Sequence, residues 1–237
     1  MKADGAGRGF GHPGICSLLQ FAGGTFPTGA FSHSFGFETY VYENAVCDLA
    51  EFQAFADSYL RSVLGGTEAP FVAAVCRHAV DGNTERIREC NELLTAMRLT
   101  KESREASIKT GKAFLRVAAA LFPDAPEMKC LLELQDCPGV NYATAFGVTL
   151  TLAGLDAADV VSAYVFSGLS SLIQCGVKLI PLGNTEAQFL LFRMQDQVTD
   201  VCAAALLTDL SDVCNFTPCL DIASVKHEDL PSRLYIS

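Results

Sequence analysis

The segment FPTGAFSHSFGFE, residues 26–38, places Ser32 and Ser34 on either side of His33, the residue types of a nucleophile and its general base. That chemistry needs the imidazole within hydrogen-bond reach of a hydroxyl, a geometry that sequence neighbours rarely achieve. The chain contains no G-x-S-x-G elbow, and nothing marks an oxyanion hole. A small-molecule hydrolase built on Ser32, His33 and Ser34 is therefore the alternative reading. The other is a glycine-kinked helix entrance, with Ser and His bonding the backbone and the phenylalanines filling a core.

Metal chemistry has little to work with. His12, His33, His78 and His227 are far apart, and Cys76 and His78, two residues apart, fall on different faces of a helix. His227-Glu228-Asp229 is a small nitrogen- and oxygen-rich cluster near the C-terminus, and a direct nickel carrier using His227, Glu228 and cysteines is a further alternative. GFGHPG, residues 9–14, fits the dinucleotide pattern in letters only. No strand precedes it, and Pro13 interrupts it. The ten cysteines are scattered without a C-x-x-C pair, mostly in apolar helical stretches, which predicts reduced thiols in a cytoplasmic protein.

The 237 residues are half hydrophobic and 19% charged, with a formal net charge of −10. A sizeable core follows, and a nucleic-acid binder, which needs a basic stripe, does not. Residues 137–155 and 160–177 carry no charged side chain, but polar and small residues dilute both, and no basic cluster flanks them. Buried central helices explain this better than a membrane. Two charged spots stand out. Lys101, Arg104, Lys109 and Lys112 share one helix, an ordinary solvated face partly balanced by Glu102 and Glu105. Lys178 stands at a helix end, either capping its dipole or projecting from an apolar contact surface.

Helical signals run almost throughout. Asp48 and Glu51 resemble a capping box before a helix that Gly65-Gly66 should end. Thr67 caps the next, with Pro70 in its first turn, and Asn83 or Thr84 opens a third. A fourth spans about 101–121 and stops before Pro123. NYATAFGVTLTLAGL reads as a helix closed by Gly154, although VTLTL is the one strand-like run. Asp156 caps a long helix that stops at Pro181–Gly183, another follows from about 186 to 206, and Pro218 starts a short last one. The expectation is an all-α, single-domain bundle of roughly ten helices around a central buried helix. A disordered leader, 1–14, precedes a helical body, 15–225, and a C-terminal tail, 226–237, closes the chain. Leu230, Leu234, Tyr235 and Ile236 give that tail apolar groups to bury.

Five separated pieces, in order, resemble the urease accessory protein UreF family: LLQFAGGTFPTGAFSHSFGFETYV; LLTAMRLTKESREASIKTGKAFL; YATAFGVTLTLAGL; VKLIPLGNTEAQ; and HEDLPSRLYIS. The resemblance implies a non-enzymatic, homodimeric, all-α chaperone of the cytoplasm with no cofactor of its own. It would bind UreD (also called UreH) and recruit the GTPase UreG, whose GTP it does not hold, so that nickel reaches apo-urease. Carried over by motif, the partner-binding positions are Pro27, Gly29, Phe31, Ser32, His33, Ser34, Gly36 and Glu38 in the opening segment, with Arg104 in the central helix, whose motif also includes Ser107 and Gly111. The turn supplies Lys178, Pro181, Gly183 and Gln188, its lysine being the candidate for GTPase coupling. His227, Glu228, Ser232, Arg233 and Leu234 come from the tail, which the resemblance expects to become ordered on UreD. Pro231 stands where the family usually has an aromatic residue, removing one side chain and one N–H donor from the tail. Asn184 replaces a common glutamine.

Overall fold

The computed structural model describes residues 13–29 and 33–236. Of the leader, only residues 13 and 14 fall within it, and they open the first helix. Among the described residues there are twelve α-helices and no strand. They are α1 (Pro13–Ala22), α2 (Phe37–Tyr42), α3 (Leu49–Tyr59), α4 (Ala69–Val80), α5 (Thr84–Met97), α6 (Lys101–Leu121), α7 (Pro126–Leu134), α8 (Tyr142–Leu152), α9 (Ala157–Leu179), α10 (Asn184–Arg193), α11 (Gln195–Leu207) and α12 (Pro218–His227). A π-helical segment, Leu60–Glu68, joins α3 to α4, and a short 3₁₀ turn, Leu210–Asp212, precedes α12.

Local chemistry sets most boundaries. Asp48 accepts the Glu51 N–H at 2.9 Å, Asn83 accepts the Arg86 N–H at 3.1 Å, and Asp156 accepts the Asp159 N–H at 2.9 Å. Each satisfies a donor that the first helical turn leaves without an internal partner. The reciprocal arm at α3 is shifted, because Glu51 takes the N–H of Cys47 instead of Asp48. Gly154, at φ +86°, supplies the left-handed residue that closes α8.

The bundle is organised around α4 and α8, which lie side by side and are buried along most of their length, with α9 packed across α4. VTLTL is a turn and a half of α8, since a run enclosed on all sides shows no face by its pattern. α9 is long and apolar enough to cross a membrane by length and composition. It lies within the bundle, against α1, α4, α8, α10 and α11.

Three expectations about elements change. Gly65-Gly66 does not end α3; the chain runs on through the π segment into α4. Gly65 is needed for proximity, because a Cβ there would overlap Val201 Cγ1 on α11. Thr67 does not cap α4; its hydroxyl donates to the Ser62 carbonyl within the π segment, 3.2 Å. The helix expected over 186–206 divides at Met194 into α10 and α11, although the Met194 N–H still reaches Leu190 and its carbonyl still accepts Val198.

Candidate partner-docking site

Three stretches far apart in sequence converge at one edge of the bundle: the start of α2, the first turn of α6, and the end of α12 with its tail. The backbone of the opening segment turns sharply at Phe35 (φ +58°) and Gly36 (φ +79°), both left-handed. For phenylalanine this conformation is unusual and strained. The turn launches α2 so that Phe37 and Glu38 point inward, and Phe37 packs on Phe52 and Phe55 with ring centres 4.9 and 5.0 Å apart.

Glu38 is the centre of a clasp. Its carboxylate accepts the backbone N–H of Leu234 at 2.6 Å and of Tyr235 at 3.1 Å, so the tail is held through its main chain. The fully buried His227 ring lies between two carboxylates, Nε2 3.0 Å from Glu38 Oε2 and Nδ1 3.0 Å from Glu102 Oε2. Both nitrogens donate only when the ring carries two protons. Arg233 adds a longer contact to Glu102, 3.4 Å. Thr39 Oγ1 donates to the Ala223 carbonyl at 2.8 Å, and Lys226 meets Glu43 at 2.6 Å, so α2 and α12 are tied along their length. Because the imidazole stands between the carboxylates, the three groups do not converge on one point. Among the described residues no group of three or more His, Cys, Asp or Glu side chains is placed to hold a metal ion.

Tyr235 links this clasp to the turn. Its ring is buried against the core, its hydroxyl lies beside the Cys175 thiol, and Lys178 Nζ sits 5.6 Å from its ring centre, within cation–π range. Burial pushes the Tyr235 hydroxyl well above the usual tyrosine range and the Cys175 thiol up to about 11. The same thiol donates to the His33 carbonyl at 3.4 Å. Burial, reinforced by the positive charge of Lys109, lowers His33 to about 4, which holds its imidazole neutral.

The structure thus joins Glu38, His227 and Leu234 directly, and brings Arg233 to them through Glu102 and Lys178 through Tyr235. Glu228, Ser232, Arg233 and Leu234 are exposed around the clasp, and Pro181, Gly183 and Gln188 are exposed at the α9–α10 turn. Pro27 and Gly29 are exposed, Ser34 and Gly36 buried; Phe31 and Ser32 lie outside the described residues. Ser34 Oγ is buried without a hydrogen bond, so it forms no nucleophile–base pair with His33. Phe21, Phe26 and Phe37 are turned inward, the first two against Phe114.

Arg104, Ser107 and Gly111 serve the frame. Arg104 donates to the carbonyls of Arg98 and Leu99, at 2.6 and 2.9 Å, completing the end of α5. Ser107 Oγ accepts the Tyr142 N–H at 3.2 Å, so α6 caps α8. A Cβ on Gly111 would overlap the Val140 carbonyl.

Sequence reasoning names Glu102 as a balancing charge and Tyr235 as a tail group to bury without finding their partners, and it misses Glu68 altogether. Glu102 and Tyr235 carry no motif or spacing that pairs them with His227 or Lys178. Glu68 belongs to a second polar centre, where it is ion-paired with Arg98 and accepts the Tyr164 hydroxyl at 2.8 Å. Burial opposes the Arg98 charge, but Glu68 and the neighbouring tyrosines outweigh it and hold its pKa above the usual value. This pair, with Tyr59 and Tyr142, lines a cavity of about 240 Å³ that Gly23, Gly24 and Thr28 of the opening segment also line. Its charges cancel, and the centre is suited to hydrogen bonding.

Residues 46–195 match the UreF family model. The chain belongs to the UreF family. It is 30% identical over 221 residues to the urease accessory protein UreF of Geobacillus kaustophilus, covering 93% of this chain and 96% of the relative. With the protein of the same name from Picosynechococcus sp. the identity is 31% over 222 residues, covering 93% and 98%. For that of Arthrobacter sp. it is 31% over 226 residues, 93% and 96%. The family match covers α3 through α10 and the turn at Lys178. Of the clasp, Glu38 and the His227 end of the chain lie beyond its two ends, and Glu102 falls within it.

Proposed function

We propose that this chain is a non-catalytic adaptor of urease maturation in the cytoplasm, binding UreD (UreH) and the GTPase UreG so that nickel is delivered to apo-urease. Family membership supports the accessory role. The observation that carries the docking assignment is the clasp, where Glu38 holds the tail's main chain and leaves Arg233 and Leu234 facing outward. In this reading the opening segment acts indirectly: its phenylalanines build the floor and its Glu38 fixes the tail on which UreD docks. In the same reading Lys178, resting on Tyr235 beside the exposed turn, couples the occupied tail to UreG. Homodimerisation is part of the same proposal.

Three experiments test it. Deleting residues 228–237 should abolish co-purification with UreD, and retained full affinity overturns the docking assignment. Lys178→Ala should preserve the fold and the UreD complex while reducing urease activation by the UreG-containing complex. Wild-type activation by that variant overturns the coupling role. Restoration of urease activity and nickel content in a urease operon lacking its own UreF copy tests the accessory role itself.

A further inference from the structure

Helix α6 exposes Lys101, Lys109, Lys112 and Arg116. At 3.6 residues per turn these four fall within an arc of about 80° and form one ridge. Thr110, Gly111, Phe114, Leu115 and Ala118 line the helix's buried face. Glu105 pairs with Lys109 at 3.1 Å and Asp136 with Lys112 at 2.9 Å. Among the described residues Lys101 and Arg116 have no carboxylate within ion-pair distance. Four cations against two carboxylates leave the ridge positive on a chain whose formal net charge is −10. The local field agrees. A hydrogen bond and the charge of Lys109, with Lys101 and Arg104 behind it, hold the Glu105 carboxyl below the usual range.

The ridge is continuous with the clasp. Lys101 and Lys109 share a cleft of about 250 Å³ with Glu102 and Glu105 of α6 and with Glu228, Arg233 and Ile236 of the tail. Charges therefore balance where the ridge meets the tail, and the surplus lies toward Lys112 and Arg116. Leu234 and Ile236 stand exposed beside the cleft. A helix face with a surplus of exposed cations, running up to two exposed apolar side chains, fits a protein surface of opposite design, an acidic face next to an apolar recess. Nucleic acid fits poorly, since the rest of the chain repels it.

We propose that the α6 ridge steers an acidic face of the tail-binding partner onto this chain, the ridge governing the rate of encounter and Leu234 and Ile236 the lifetime of the complex. The inference rests on the reading that the tail docks on UreD, and its test separates the two. Association and dissociation of the full chain with purified UreD are measured at low and high NaCl. The unaltered chain should associate roughly tenfold faster at about 50 mM than at about 300 mM salt. The combined variant Lys101→Gln, Lys109→Gln, Lys112→Gln and Arg116→Gln should lose that acceleration and keep its dissociation rate within about twofold. Glu105→Gln, which makes the ridge more positive, should speed association. The pair Leu234→Ser and Ile236→Ser should raise the dissociation rate and leave the salt dependence unchanged.

A quadruple variant with unaltered association and salt dependence overturns the ridge while leaving tail docking intact. The same follows if its loss appears only in retention on nucleic acid, or only in self-association by analytical ultracentrifugation. No binding by the unaltered chain overturns both readings. Circular dichroism and unfolding midpoints establish that each variant is folded.

Discussion

Glu38 shows how much one buried carboxylate can organise: two backbone amides of the tail and one histidine nitrogen converge on it. Replacing it with alanine leaves those donors in a place water reaches poorly. Glu38→Ala should lower stability by roughly 3 kcal/mol, read from the urea midpoint, and accelerate amide exchange at Leu234 and Tyr235 specifically. A loss spread evenly over the molecule would contradict the clasp. His33 gives a pH prediction. Its pKa is about 4 in the folded chain against an ordinary 6.5, so the unfolded state binds the extra proton between those values. Its contribution is complete above about pH 6.5 and is lost as pH falls toward 4, on the order of 3 kcal/mol at most. His33→Gln should flatten the stability profile in that window. The sequence marked Glu38, His33 and His227 as residues to watch and Tyr235 as a group to bury, but it paired neither Tyr235 nor Glu102 with the residues they meet. Contacts such as His227 to Glu102 and Lys178 to Tyr235 span distances along the chain that no local pattern encodes.

At the scale of elements, three of the caps were legible because they act over three or four residues, and Thr67 is the exception. Asp48, Asn83 and Asp156 each satisfy the helix donor expected of them. The glycines were harder to read. Gly65 looks like a helix terminator and is instead a contact surface, its missing Cβ admitting Val201 of α11. Gly65→Ala should destabilise the protein by about 1–3 kcal/mol through overpacking, and Val201→Ala in the same chain should restore part of the loss. Gly111→Ala meets the main-chain carbonyl of Val140, which cannot be trimmed away, and should cost more. Thermal unfolding of the three variants distinguishes the two cases. The division at Met194 left no sequence signal, since its residues continue a helical pattern and the main-chain bonds bridge the boundary.

At the scale of the whole molecule, the bundle separates its thiols into two sets. Cys76, Cys90, Cys130, Cys175 and Cys202 are buried, whereas Cys16, Cys47, Cys137, Cys214 and Cys219 are exposed. Burial raises Cys76, Cys90 and Cys175 to about 11, which leaves little thiolate at neutral pH. An aromatic disulfide reagent should therefore titrate five thiols rapidly and the remaining five only as the chain unfolds. Rapid reaction of all ten would mean that the interior is far more open than the packing of α4, α8 and α9 implies. Charge is also segregated at this scale, with a positive ridge on an acidic body.

Composition, helical periodicity and capping chemistry determined that this chain is an all-α bundle, because each operates within a turn or two of backbone. The ordered motifs determined its family for a related reason: a motif keeps its residues at fixed spacing. The tertiary structure alone decided that the opening segment, the start of α6 and the tail meet at Glu38 and His227, and that most of the opening phenylalanines face inward. It also set Glu68 against Arg98 in the interior. Those outcomes depend on how helices cross, and crossing is settled by the simultaneous packing of many side chains, whose individual preferences leave no local trace.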